Sequence, residues 1–208
     1  MRRSGFVVRL EGAGYAYPGA DAEATGLGPY SVDISPGEVV GIVGPSGSGK
    51  STVLGLLGGL LDPQSGARRV GAGYRGTAFV LQTHAVHPYL TAWENVAAPW
   101  GVPSAPLRDR AVRVLRAFDL DGLADRGADR LSGGQRQRLA VARAVASRAS
   151  VIIADEPTGS LDAVSSTLVL DALAAVARGG RAVVVATHDD QVRHRCDRIV
   201  ELAKAGIR

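Results

Sequence analysis

The stretch Glu38–Leu57, "EVVGIVGPSGSGKSTVLGLL", constrains the fold more than any other part of the chain. An apolar run, a glycine-rich segment and a second apolar run follow one another directly, which reads as strand, tight loop and helix. The loop fits the pattern G-x-x-x-x-G-K-[ST], with Gly44, Pro45, Ser46, Gly47, Ser48, Gly49, Lys50, Ser51 and Thr52 in order. Each part has a physical task. Gly44, Gly47 and Gly49 let the backbone curl so that successive N–H groups face one anion. Lys50 sets a point charge on outer phosphates, and the Ser51 hydroxyl completes a Mg²⁺ shell. The chain has only two lysines, Lys50 and Lys204, and otherwise uses arginine. One of the two stands where a compact ammonium is needed rather than a planar fork.

A loop of this kind belongs to an α/β frame, and the rest of the chain supplies one. "FVVRL", "EVVGIVG", "AFVLQ", "VIIAD" and "RAVVVATH" read as buried strands. Helices are expected over 50–58, 108–118, 134–147, 164–178 and 190–196. Strands alternating with helices predict a mainly parallel sheet. Between Gln82 and Leu131 the strand signal stops, so a helical block sits between two halves of one sheet. Its "HPYLTAWENVAAPW" holds the only tryptophans, Trp93 and Trp100. These read either as core residues or as part of a groove that receives a partner.

Two strands end in chemistry. "VIIADEP" closes on Asp155 and Glu156; the first acid suits anchoring Mg²⁺ through water and the second polarising an attacking water. Strand alternation places the two side chains on opposite sides of the strand tip. "AVVVATHD" ends at His188 and Asp189, and "AFVLQ" at Gln82. Open α/β sheets place their ligands at such strand ends. A third feature is "LSGGQ", Leu131, Ser132, Gly133, Gly134 and Gln135. Each Gly inside a helix costs about 1 kcal/mol relative to Ala, so the pair belongs at a helix mouth. There, bare N–H groups and the helix dipole favour an anion.

The net charge of +4 is spread as arginine among acids, with no basic block and no interleaved aromatic stripe. That pattern argues against nucleic acid as the ligand. Cys196 is the only cysteine, so an intrachain disulfide is excluded and a reducing compartment is expected. The start of the sequence has a three-residue apolar run where a secretory leader needs roughly 7 to 15. The longest apolar stretch, "VLGLLGGLL", falls short of the roughly 18 residues that span a bilayer. Any membrane role is therefore expected to need a partner.

In this order the motifs resemble the nucleotide-binding subunits of ATP-binding cassette (ABC) transporters. Gly44 to Thr52 is similar to the Walker A loop, Gln82 to the Q-loop and Leu131 to Gln135 to the signature. Val151 to Glu156 resembles Walker B, Ser160, Leu161 and Asp162 the D-loop, and His188 the switch histidine. Tyr17, 27 residues before Gly44, falls where the family places an aromatic that stacks on adenine. The resemblance implies a single ABC ATPase domain over 1–208, with a nucleotide-binding core in 1–82 and 150–208. A helical subdomain carrying the signature would occupy 83–149, beside a small antiparallel β region shortened over 66–82. It implies ATP and Mg²⁺ as cofactors, with Ser51, Gln82 and Asp155 around the metal. Glu156 would be the general base, and His188 and Gln82 would complete the catalytic set.

The resemblance also implies a homodimer or heterodimer packed head to tail. Ser132 and the Gly134 N–H would then meet the phosphate held by the other chain's Lys50. Integral membrane subunits would be further partners, and the chain would sit peripherally on the cytoplasmic face of the membrane. "ADEPTGSLD", "LLGGL" and "LTAWENV" look most like the lipoprotein-release, macrolide-export and cell-division branch. The rival readings are a soluble scaffold ATPase and a DNA-associated ATPase of the same cassette. The second would carry a long coiled coil or a large insertion between Walker A and the signature, and only 80 residues without sustained heptads separate Ser51 from Ser132.

Overall fold

The computed structural model describes residues 5–17, 26–81, 86–203 and 206–207. Two sheets, six α-helices and three single-turn 3-10 segments make up the regular structure of those residues. Strand β1 (Val8–Ala16) lies between β2 (Gly26–Ile34) and β4 (Ser65–Val70) in an antiparallel sheet of three. The second sheet has the order β5-β6-β7-β3-β8-β9. Its strands are β3 (Val39–Val43), β5 (Thr77–Val80), β6 (Val151–Asp155), β7 (Ala182–Ala186), β8 (Arg198–Ala203) and β9 (Gly206–Ile207). All its pairings are parallel except β8 with β9. The expected antiparallel region is therefore present as three strands, and β4 completes it despite the short 66–82 segment.

The parallel strands are apolar on both faces because both faces are covered. Alternation divides them between two cores. Val40, Ile42, Ile153 and Val184 face the antiparallel sheet and helix α1 (Lys50–Gly58), meeting Leu10, Tyr30, Val53 and Leu56. Val39, Ile152, Val183 and Val185 face the remaining helices. Each fully buried aliphatic side chain contributes about 1.5–3 kcal/mol relative to exposure, so this two-sided burial is the main stabilising term of the sheet.

Between β5 and β6 come α2 (Ala92–Ala97), α3 (Ala105–Arg116) and α4 (Gly133–Ala146), which pack on one another. Helix α2 is opened by a capping box. Thr91 Oγ1 accepts from the Glu94 N–H, and Glu94 accepts from the Thr91 N–H. Trp100 donates its indole N–H to Ala146 O at 2.7 Å and carries the Arg110 guanidinium 4.0 Å from its ring centre. Trp93 and Trp100 both pack half-buried against the helical core. Helix α5 (Ala163–Arg178) then lies over β3 and β7, and the short α6 (Asp190–Arg193) precedes β8. Against the sequence expectations, α1 matches and α4 and α5 start one residue early. Helix α3 starts three residues early, at Ser104 as N-cap with Pro106 in its first turn.

Candidate functional site

Strand order sets the site. β7 lies between β3 and β6, so the ends of these three strands deliver the phosphate loop, Asp155 and His188 to one edge of the sheet. They border a cleft of about 560 Å³ lined by Gly44, Ser46, Gly49, Lys50, Ser51, Asp155, Glu156 and His188 among others. Gly49 adopts φ 91°, in the left-handed region, directly before the first turn of α1. A Cβ there would also run into the Tyr30 hydroxyl, so glycine is required twice over. Lys50 Nζ donates to the carbonyls of Gly44 at 2.8 Å and Pro45 at 3.1 Å, which holds the ammonium over the loop.

Ser48 lies beneath the loop rather than in the cleft. Its side chain is buried, its hydroxyl has no hydrogen-bond partner among the described residues, and its N–H donates to Pro45 O. Thr52 is buried and its hydroxyl is 3.2 Å from Tyr17 Oη. Tyr17 stands edge-on to Tyr15 at 5.0 Å and is 46% exposed, beside the cleft wall.

Ser51 Oγ donates to Asp155 Oδ2 at 3.1 Å. Burial is the largest influence on Asp155 and pushes its pKa up, opposed by the Ser51 bond. A desolvated carboxylate beside a hydroxyl is an oxygen-only donor pair that suits a hard divalent cation. Glu156 follows Asp155 but leaves the strand. At φ 48° it is a non-glycine residue in the left-handed region, which costs of order 1–3 kcal/mol unless its surroundings impose it. As a result both carboxylates border the same cleft, although simple alternation would send them to opposite sides.

Four contacts impose the conformation. The Glu156 N–H donates to Ala186 O at 2.9 Å, and its carbonyl accepts from the Gly159 N–H at 3.3 Å. Glu156 Oε2 accepts from Thr187 Oγ1 at 3.2 Å, and Oε1 lies 2.7 Å from His188 Nδ1. The hydrogen bond and charge of Glu156 push the His188 pKa up. The His188 side chain is 80% exposed and that of Glu156 only 14%.

The signature sits elsewhere. Ser132 caps α4 in a capping box: its Oγ accepts from the Gln135 N–H at 3.2 Å, and Gln135 Oε1 accepts from the Ser132 N–H at 2.9 Å. Gly133 and Gly134 form the first turn, and Ser132 is exposed. None of Leu131 to Gln135 lines the cleft. Gly134 faces the D-loop of its own chain, where a Cβ would sit 3.4 Å from Ser160 O and from Leu161. Asp162 caps α5 by accepting from the Ser165 N–H at 2.8 Å. Gln82 lies outside the described residues.

Sequence reasoning passed over Gln137 and Thr187. Gln137 is buried in α4 and donates Nε2–H to Pro157 O at 3.0 Å. Thr187 is fully buried and follows directly on β7. The capping box was open to view as S-x-x-Q, whereas no local pattern marks either missed residue.

A family model described as "ABC transporter" matches residues 27–159. The chain belongs to the ABC transporter family. A macrolide export ATP-binding/permease protein MacB from Rhodopseudomonas palustris is 39% identical over 96% of the chain. The alignment covers 33% of MacB, so the chain spans about one third of such relatives' length. The lipoprotein-releasing system ATP-binding protein LolD 1 of Caulobacter vibrioides is 39% identical over 95% of the chain and 92% of LolD 1. Among solved structures, the ATP-binding cassette MJ0796, dimeric in a post-hydrolysis state with ADP and Pi, superposes with a TM-score of 0.86. It is 33% identical, with 96% of each chain covered. Both sheets are therefore those of an ABC cassette.

Proposed function

We propose that two cassettes pack head to tail and hydrolyse ATP at composite sites, each built from one chain's cleft and the other chain's signature. One observation carries this reading: the mouth of α4 is capped, exposed and outside its own chain's cleft. Its Ser132 hydroxyl and Gly134 N–H then serve an anion held by the Lys50 of a second copy. The phosphate loop wraps the phosphates with backbone N–H groups while Lys50 turns its ammonium from the loop carbonyls onto them. Tyr17 stacks on the base. Ser51, Gln82 and Asp155, the last through water, would hold Mg²⁺, which when bound neutralises charge on the transferring phosphate.

Glu156 accepts the proton of the attacking water, and His188, exposed and able to turn, contacts the terminal phosphate. Asp162 and its neighbours carry the state of one site to the other. Residues 83–149 act as a helical subdomain that docks integral membrane subunits, with the chain peripheral on the cytoplasmic face. The LolD and MacB likenesses support a force-transmitting or exporting complex of that branch.

Replacement of Glu156 by Gln tests the chemistry. The variant is expected to bind ATP, run as an ATP-dependent dimer on size exclusion, and lose at least about 100-fold in turnover, the usual minimum for removing a general base. Native steady-state turnover by Glu156→Gln would remove Glu156 from that role.

A further inference from the structure

We propose that Thr187 is the positioning residue of Glu156, holding the carboxylate in its working orientation while His188 moves. The inference rests on the reading of Glu156 as the base and adds the group that aims it.

Among the described residues, Thr187 and His188 touch the Glu156 carboxylate, and they differ in freedom. His188 is four-fifths exposed, so it can leave Oε1 to meet a phosphate. Thr187 has no exposed surface. It follows directly on β7, the strand flanked by those that carry the phosphate loop and Asp155. The Thr187 N–H donates to Ile42 O at 3.3 Å on the loop's own strand. Its position is thus fixed from one side while its hydroxyl faces the other.

The direction of the hydroxyl bond follows from donor arithmetic. A threonine hydroxyl has one proton and two lone pairs. Thr187 Oγ1 accepts the Asp189 N–H at 3.0 Å, which occupies a lone pair and leaves the proton for Glu156 Oε2 at 3.2 Å. Oε2 is thereby held by the scaffold, and Oε1, opposite His188, is the oxygen left to face a water. Without the hydroxyl, the left-handed Glu156 keeps its backbone contacts but its side chain can rotate. A misplacement of about 1 Å in a reacting group costs on the order of 100-fold in rate.

Thr187→Val removes the hydroxyl at nearly constant shape, and Thr187→Ser keeps it. Thr187→Val is expected to lower kcat about 10- to 100-fold with the KM for ATP within about twofold. Thr187→Ser should stay within about threefold of native kcat. In a Glu156→Gln background, Thr187→Val should bring no further loss of single-turnover hydrolysis, because the group it aims is already gone. Should the Val variant fold poorly, Thr187→Ala against Thr187→Ser gives the same comparison. Native kcat in Thr187→Val, equal impairment of the Ser and Val variants, or a full additional loss in the Glu156→Gln background would each overturn the positioning role. If Glu156→Gln itself turns over normally, the base reading fails instead, whatever Thr187 does.

Discussion

Glu156 and His188 form the one acid–histidine contact described in the cleft, at 2.7 Å. The pair gives the site a pH dependence whose sign can be worked out. Glu156 raises the His188 pKa above its ordinary 6.5. A histidine raised in this way stabilises the folded chain fully below its unfolded pKa, and that contribution fades as pH rises through the higher folded value. The difference in Tm between the native chain and His188→Gln should therefore be widest near about pH 6 and shrink toward about pH 9. A difference that stays constant across that range would mean that the imidazolium is not what Glu156 holds. The same geometry explains why the histidine was readable in the sequence and the threonine before it was not. His188 has a titrating side chain at a strand end, whereas Thr187 looks like one more β-branched residue of "VVVATHD" until Glu156 is seen to turn back toward it.

Helix starts carry the next layer of the site. The signature mouth is a capping box that holds Ser132 and Gln135 in fixed mutual positions, so two of its five residues shape the mouth that the glycines leave open. The D-loop ends on a cap as well. Asp162 accepts from the Ser165 N–H and hydroxyl, and these bonds, the backbone one largest, hold its pKa down. Asp162→Ala is expected to lower the urea midpoint with an unchanged slope. An unshifted midpoint would show that α5 starts without the cap.

Elements with a strong apolar period, β3, β6, β7 and α5, were legible because burial on both faces or along one stripe leaves a mark in the sequence. β4, "SGARRV", was not: it contributes no fully buried side chain and is held by backbone pairing to β1. β2 has a clear alternation, with Tyr30, Val32 and Ile34 buried, but Gly28 and Pro29 interrupt its start. Helix α2 is too short for periodicity, although its T-x-x-E cap was there to be read.

At the scale of the molecule, the chain presents a cleft with loop, carboxylates and histidine and, outside that cleft, the exposed and capped mouth of α4; in the proposed dimer each would be half of a site. No helix among the described residues is long and apolar enough to cross a membrane. The central claim is that cleft and mouth belong to different copies. Mixing Ser132→Arg chains with Lys50→Ala chains tests it most directly. Each variant alone should be inactive in single-turnover ATP hydrolysis. In a mixed dimer, the intact Lys50 of one chain meets the intact Ser132 of the other, so one site of two is restored. Random mixing makes half the dimers mixed, and activity should recover toward about a quarter of the native amplitude. A mixture as inactive as its separate components would contradict the composite site.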